Sequence, residues 1–206
     1  DAAVYNCTKL KTVTGCAGIT SIGNNAFYNT GLESFVIPDT VITIGSEAFR
    51  SSHLKNIVIG NNVKTIGSTA FANTLLTDVV IPDSVTDMGD NAFIYNTTLK
   101  SIVLGNSLTR IGGQCFFQTN ITSIVIPDSV QTIEGSIFQG VNLSDVTIGS
   151  GITSTNGFIF RWANITNSLT IKSNYVTQNW GNSFNGCNIN SINTLLFICN
   201  SQTIHS

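Results

Sequence analysis

Charge is the first thing this chain has little of. Its 206 residues include nine Lys and Arg and eleven Asp and Glu, so 10% are charged, against about 25% in a typical soluble domain. The net charge of −2 excludes a dominant electrostatic nucleic-acid surface, which needs clustered basic residues to displace counterions from phosphate. Low charge here does not mean disorder, because 42% of the residues are hydrophobic. Long apolar runs are missing as well. Stretches such as 195–199 fall far short of the roughly 20 residues that a membrane helix needs, so no span is expected. The opening DAAVYNCTKL shows no basic start before an apolar run, hence no visible signal peptide. Three prolines and no Ser/Gly run leave no linker, and residues 1–206 read as one array.

Catalytic signatures are lacking too. H-E-x-x-H, Walker A and G-x-S-x-G are absent, and no G-x-G-x-x-G opens a helix. The two histidines are His53, in a slot that varies between repeats, and His205, near the terminus. Asp39, Asp83 and Asp128 share one repeat position in alternate copies, two strand spacings or roughly 10 Å apart. That is too far to share a calcium ion, and a turn role is expected for them. A non-enzymatic chain with no metal and no cofactor follows.

What is present is self-similarity. Phenylalanines fall at Phe27, Phe49, Phe71, Phe93, Phe116, Phe138 and Phe160, stepping by 22, 22, 22, 23, 22 and 22. Each follows a string of the type IGNNAF, IGSEAF or IGSTAF, and each precedes a polar loop and then Leu-x-x-Ile-x-Ile closed by Pro-Asp or Gly-Asn. The apolar alternation in Leu32-x-x-Phe35-x-Ile37 predicts a strand with one buried face, and Pro38-Asp39 ends it. Val41 and Ile44 then point inward, and 46–49 is too short for an independent helix. It reads as one helical or 3-10 turn whose phenylalanine plugs the interior. No copy closes a core alone, so copies must stack into a parallel sheet with one strand each. Strands are expected near 34–37, 56–59, 78–81, 101–104, 123–126, 145–148 and 168–171.

The string IGxxAFxxTxLxxIxIPDSVxxIG resembles the BspA-like (Treponema-pallidum-type) leucine-rich repeats over about residues 1–176. That resemblance implies a leucine-rich-repeat solenoid with a parallel sheet on one face. It also implies an extracellular or cell-surface location and adhesion or protein binding rather than catalysis. One departure is clear. Where the family often has Cys, three residues after the Phe, this chain has Thr30, Ser52, Thr74, Asn96 and Thr119, small polar residues able to bond the loop backbone. Residues 1–21 read as a partial repeat or cap, 22–176 as seven repeats, and 177–206 as a degenerate repeat or cap echoed by WGNSFNGC.

Three sets of site candidates follow. Cys7 with Cys16, and Cys187 with Cys199, lie in pairs at the two ends and read either as cap disulfides or as reduced core residues; Cys115 is expected inside and inert. Sequons stand at Asn6, Asn96, Asn120, Asn142 and Asn164, the last four in the same loop of successive copies, three or four residues after the Phe, where glycans would line an edge. On the sheet face, Val36, Val58, Val80, Val103 and Val125 form an outward ribbon roughly 20 Å long. Beside it run Asn56, Asp78, Ser101 and Ser123. The ribbon reads as strand propensity or as a partner-binding stripe. Two functions stay open: a secreted or surface module binding a protein or glycan on the sheet face, or a structural element stacking with copies of itself.

Overall fold

The computed structural model describes residues 3–189 and 192–198. Strands alternate between two sides of each repeat. The first copies give β1 (Ser21–Ile22), β2 (Ser34–Val36), β3 (Thr43–Ile44), β4 (Asn56–Val58), β5 (Thr65–Ile66), β6 (Asp78–Val80), β7 (Asp87–Met88) and β8 (Ser101–Val103). The later copies give β9 (Arg110–Ile111), β10 (Ser123–Ile126), β11 (Thr132–Glu134), β12 (Asn142–Ile148), β13 (Ser154–Asn156), β14 (Asn164–Ile171) and β15 (Thr194–Phe197). Two short helices, α1 (Asn174–Gln178) and α2 (Trp180–Ser183), lie between β14 and β15. Every pairing is parallel, with Ser34 opposite Asn56 and Thr43 opposite Thr65, one repeat apart. The molecule is a leucine-rich-repeat solenoid of about eight turns with very little helix.

The face strands fall within a residue or two of their expected places through β10, whereas β12 and β14 run longer. Two features of each copy differ from the expectation. The first is a second strand: β1, β3, β5, β7, β9, β11 and β13 join in one seven-stranded sheet. The second concerns the plug segment, which is a run of tight turns rather than a helical or 3-10 turn. From Phe27 to Phe116, the residues two before and two after each phenylalanine take left-handed backbone, as Glu47 (φ 57°) and Ser51 (φ 59°) do around Phe49. Left-handed residues break a helical path, and they aim alternate amides at the next coil instead. Glu47, Phe49 and Ser51 donate N–H to the carbonyls of Ser68, Ala70 and Ala72 at 2.9, 2.8 and 2.9 Å. The plug side is thus a third hydrogen-bonded ladder, which answers where the backbone bonds of that segment go.

Inside these three sides the phenylalanines stack. Ring centroids lie 5.0 to 5.3 Å apart along Phe27–Phe49–Phe71–Phe93, 6.3 Å at Phe93–Phe116, and 5.3, 5.2 and 4.9 Å on through Phe138 and Phe160 to Phe184. The wide step coincides with the single 23-residue spacing. The stack closes because coils approach tightly. A Cβ on Gly67 would sit 2.6 Å from the Gly45 carbonyl carbon, so the glycine of the IG pair admits no side chain. Three of the polar groups inside are satisfied locally: the Thr30, Ser52 and Thr119 hydroxyls donate to the carbonyls of Phe27, Phe49 and Phe116 at 3.0, 2.7 and 2.8 Å.

Candidate functional site

The face built by β2, β4, β6, β8 and β10 carries the exposed valine ribbon. Val36, Val58, Val80, Val103 and Val125 are 55–66% exposed, because period-two alternation turns them away from buried neighbours such as Phe35, Val79 and Ile102. Asn56, Asp78, Ser101 and Ser123 are exposed beside them. At the N-terminal edge Glu33 lies between Lys11 and Lys55, each 3.0 Å away. Those two hydrogen-bonded ammonium groups, Lys11 first, hold its carboxyl down at about 2. Further along, Asp145 accepts from the Ser144 and Ser168 hydroxyls and the Asn167 amide, and these bonds lower its carboxyl below the usual range.

This face is not one continuous sheet. Its strands bond as β2–β4, β6–β8 and β10–β12–β14–β15, with no ladder from β4 to β6 or from β8 to β10. The interruptions follow the prolines. In the continuous part the residue after the strand donates to the preceding coil, as Gly149 N–H does to Ile126 O and Lys172 N–H to Ile148 O, both at 2.9 Å. Pro82 and Pro127 hold that position opposite Ile59 and Leu104 and have no N–H to give, although Gly60 and Gly105 make no such bond either and their strands still pair with β2 and β6. A groove of about 780 Å³ opens at the first interruption, lined by Val58, Val80 and Val103 with Asn61, Asp78 and Ser101. A second, of about 420 Å³, opens at the other, along Val103 and Val125. Pro-Asp reads from sequence as a strand terminator; that it also stands at the splits in the sheet is plain only once it is seen which coil each proline faces. The aspartates after these prolines bond forward: Asp39, Asp83 and Asp128 Oδ1 accept from the backbone N–H of Asn61, Asn106 and Ser150 at 2.6, 2.6 and 2.9 Å.

The other candidates sort by environment. Cys7, Cys16 and Cys187 are free thiols, so the Cys7–Cys16 bridge is not formed; the exposed Cys7 Sγ instead donates to Tyr5 O at 3.8 Å. Cys199 and His205 lie outside the described residues. Cys115 is fully buried, and burial pushes its thiol up to about 12. Asn96 cannot serve as an exposed glycan acceptor. Its side chain is wholly buried and donates to Phe71 O and Phe93 O at 2.8 and 3.0 Å, while its oxygen accepts from Thr74. Asn6 and Asn120 are exposed, and Asn142 and Asn164 sit side by side in β12 and β14 rather than in a loop. Among the described residues no three His, Cys, Asp or Glu side chains gather to hold a metal, and no helix is long and apolar enough to cross a membrane.

The profile described as BspA type leucine rich repeat region (6 copies) matches residues 1–100 and 88–204. The chain belongs to that family. No curated protein is similar enough to count as a relative of this BspA-type chain. Among solved structures, the pneumococcal vaccine antigen PcpA is similar over 89% of this chain and 75% of its own, at 16% identity and a TM-score of 0.54, a likeness of fold. A leucine-rich repeat protein from Bacteroides ovatus matches at 18% identity and a TM-score of 0.48, over 94% of this chain and 70% of that one. A leucine rich cell surface protein from Faecalibacterium prausnitzii matches at 19% and 0.39, over 93% and 86%.

Proposed function

We propose that this BspA-type chain is a non-enzymatic module of the cell surface or extracellular space that binds a protein partner on its sheet face. One observation carries the reading: the exposed valine ribbon coincides with the groove opened at Pro82, so apolar surface, unpaired strand edges and polar Asp78 and Ser101 converge mid-array. Val80 is exposed, so a lysine there leaves the core intact; in a complex its charge would be buried unpaired, at a cost of several kcal/mol. Val80→Lys should keep the melting curve and weaken a cross-linked surface partner by at least about 100-fold. Normal binding by that variant, with loss on changing Asn120 or His53, would place the interface on the loop edge instead.

A second reading has its own support. In β15 the residues Leu195, Leu196 and Phe197, with the following Ile198, are 42–46% exposed on the edge of the four-stranded sheet. An apolar edge strand is a template for pairing, which favours self-association into a larger assembly. Light scattering separates the two: a monomer over a wide concentration range supports the binding module, and open-ended growth supports the assembly.

A further inference from the structure

The plug side holds a notch that the sheet-face reading does not use. The residue after each stacked phenylalanine lies along this side, buried or partly buried, and the column reads Tyr28, Arg50, Ala72, Ile94, Phe117, Gln139 and Arg161. Ala72 is the smallest member, flanked by two long side chains, and the space it leaves is a pocket of about 400 Å³. Ligand sites typically run from about 300 to 1,000 Å³, so this one suits a small ligand. Its floor is apolar, with Ala72 and Ile94 both buried. On one wall the Tyr95 ring is 46% exposed and is held edge-on by Phe117, with centroids 5.8 Å apart.

Tyr95 is itself out of pattern. Its backbone is left-handed (φ 62°), at a position that Asn29, Ser51, Asn73 and Gln118 fill in other copies and that one other aromatic, Trp162 (φ 54°), shares. A bulky aromatic is disfavoured there, whereas asparagine is tolerated. The rim is polar and mostly free to bond outward. Asn73 gives one amide N–H to Ser51 Oγ at 3.2 Å and keeps a second. Asn91 lines the pocket, and its Oδ1 is buried with no hydrogen-bond partner among the described residues, so that oxygen is left to accept from a ligand hydroxyl. The one ionised lining group, Arg50, is paired with Glu47 at 2.9 Å, so the notch has no unbalanced charge.

A flat aromatic wall, a small apolar floor, an amide rim and balanced charge match one chemical class, a ring with a C–H face and a hydroxyl edge. We propose that the notch between Arg50, Ala72, Asn91 and Tyr95 binds a neutral sugar unit, with its C–H face on the Tyr95 ring and its hydroxyls on Asn73, Asn91 and Arg50. This site is separate from the sheet-face groove and stands whether or not that reading holds.

Saturation-transfer NMR with glucose, galactose, mannose and N-acetylglucosamine, each at about 10 mM, reads binding in the weak range expected of a single sugar unit. Transfer to at least one sugar is expected, with amide shifts gathered at residues 50, 73, 91 and 95. Ala72→Gln fills the notch with the side chain that Gln139 carries at the same position, and Tyr95→Asn restores the residue type of Asn29 and Asn73. Both variants should fold, and each should weaken binding by at least about tenfold, while Val80→Lys leaves it unchanged. Three results would overturn the proposal: no transfer to any of the four sugars, unchanged binding in both variants, or loss in Trp162→Asn with retention in Tyr95→Asn.

Discussion

Three residues after Phe27, Phe49, Phe93 and Phe116, a small polar side chain sits in the interior and reaches a turn carbonyl, whereas Val141 and Ala163 fill the same place after Phe138 and Phe160. Threonine and serine do this within one copy; Asn96 does it across two, bonding Phe71 O and Phe93 O together. The same residue therefore drops out as a glycan acceptor, a consequence hidden in sequence because Asn96 looks like any other sequon until its neighbours are known. Exposed residues give simpler predictions. Glu33 keeps about half of its side chain in solvent, and its low carboxyl rests on two lysines from neighbouring copies. Because the folded value lies below the ordinary 4.5, the contribution is complete above about pH 4.5 and disappears as pH falls through about 2. Carboxyl NMR titration should find that low midpoint at low ionic strength and a rise toward the ordinary value in about 1 M salt, where screening reaches about 3 Å. A salt-independent midpoint would mean the lysines are not its cause.

At the level of elements, the face strands were legible because alternation such as Ser34-Phe35-Val36 leaves one choice of buried side. The second sheet was not: its strands are two or three residues long, and Thr43-Ile44 carries too little periodicity to separate it from a loop. The plug turns are not legible in the sequence for a related reason. Ser46-Glu47-Ala48-Phe49 has good helix formers, and nothing in Glu47 or Thr69 announces left-handed backbone; the demand comes from the neighbouring coils that those amides must reach. The groove coincides with Pro82, and whether its missing N–H sets the gap can be tested. Pro82→Gly returns an N–H opposite Ile59 O, in a column where Gly60 and Gly105 already fit. Hydrogen exchange should then show a protected amide at position 82, and partner binding at the narrowed groove should weaken. An unprotected amide would show that the missing donor does not set the gap.

Over the whole molecule the phenylalanine stack makes stability depend on position along the axis. Phe71 is wholly buried between two parallel rings, whereas Phe27 at the first coil retains 8% exposure. In a stacked array each coil is supported only by its neighbours, so an interior loss also uncouples the two halves. Denaturant unfolding should give about 3–5 kcal/mol for Phe71→Ala and clearly less for Phe27→Ala. Equal costs would mean that the array does not behave as a chain of neighbours. The alternation of Pro38, Gly60, Pro82, Gly105, Pro127 and Gly149 carries a constraint on how such an array can change length. Each aspartate after a proline faces the amide of a Gly-Asn or Gly-Ser coil. Removing one coil would set Asp39 directly against Asp83, two carboxylates at strand spacing, with proline facing proline. Removing two would bring Asp39 to Asn106 and preserve the match of aspartate to amide in this column. The unit of duplication and loss that this architecture tolerates is a pair of repeats, so genes encoding it should grow and shrink by even numbers of coils.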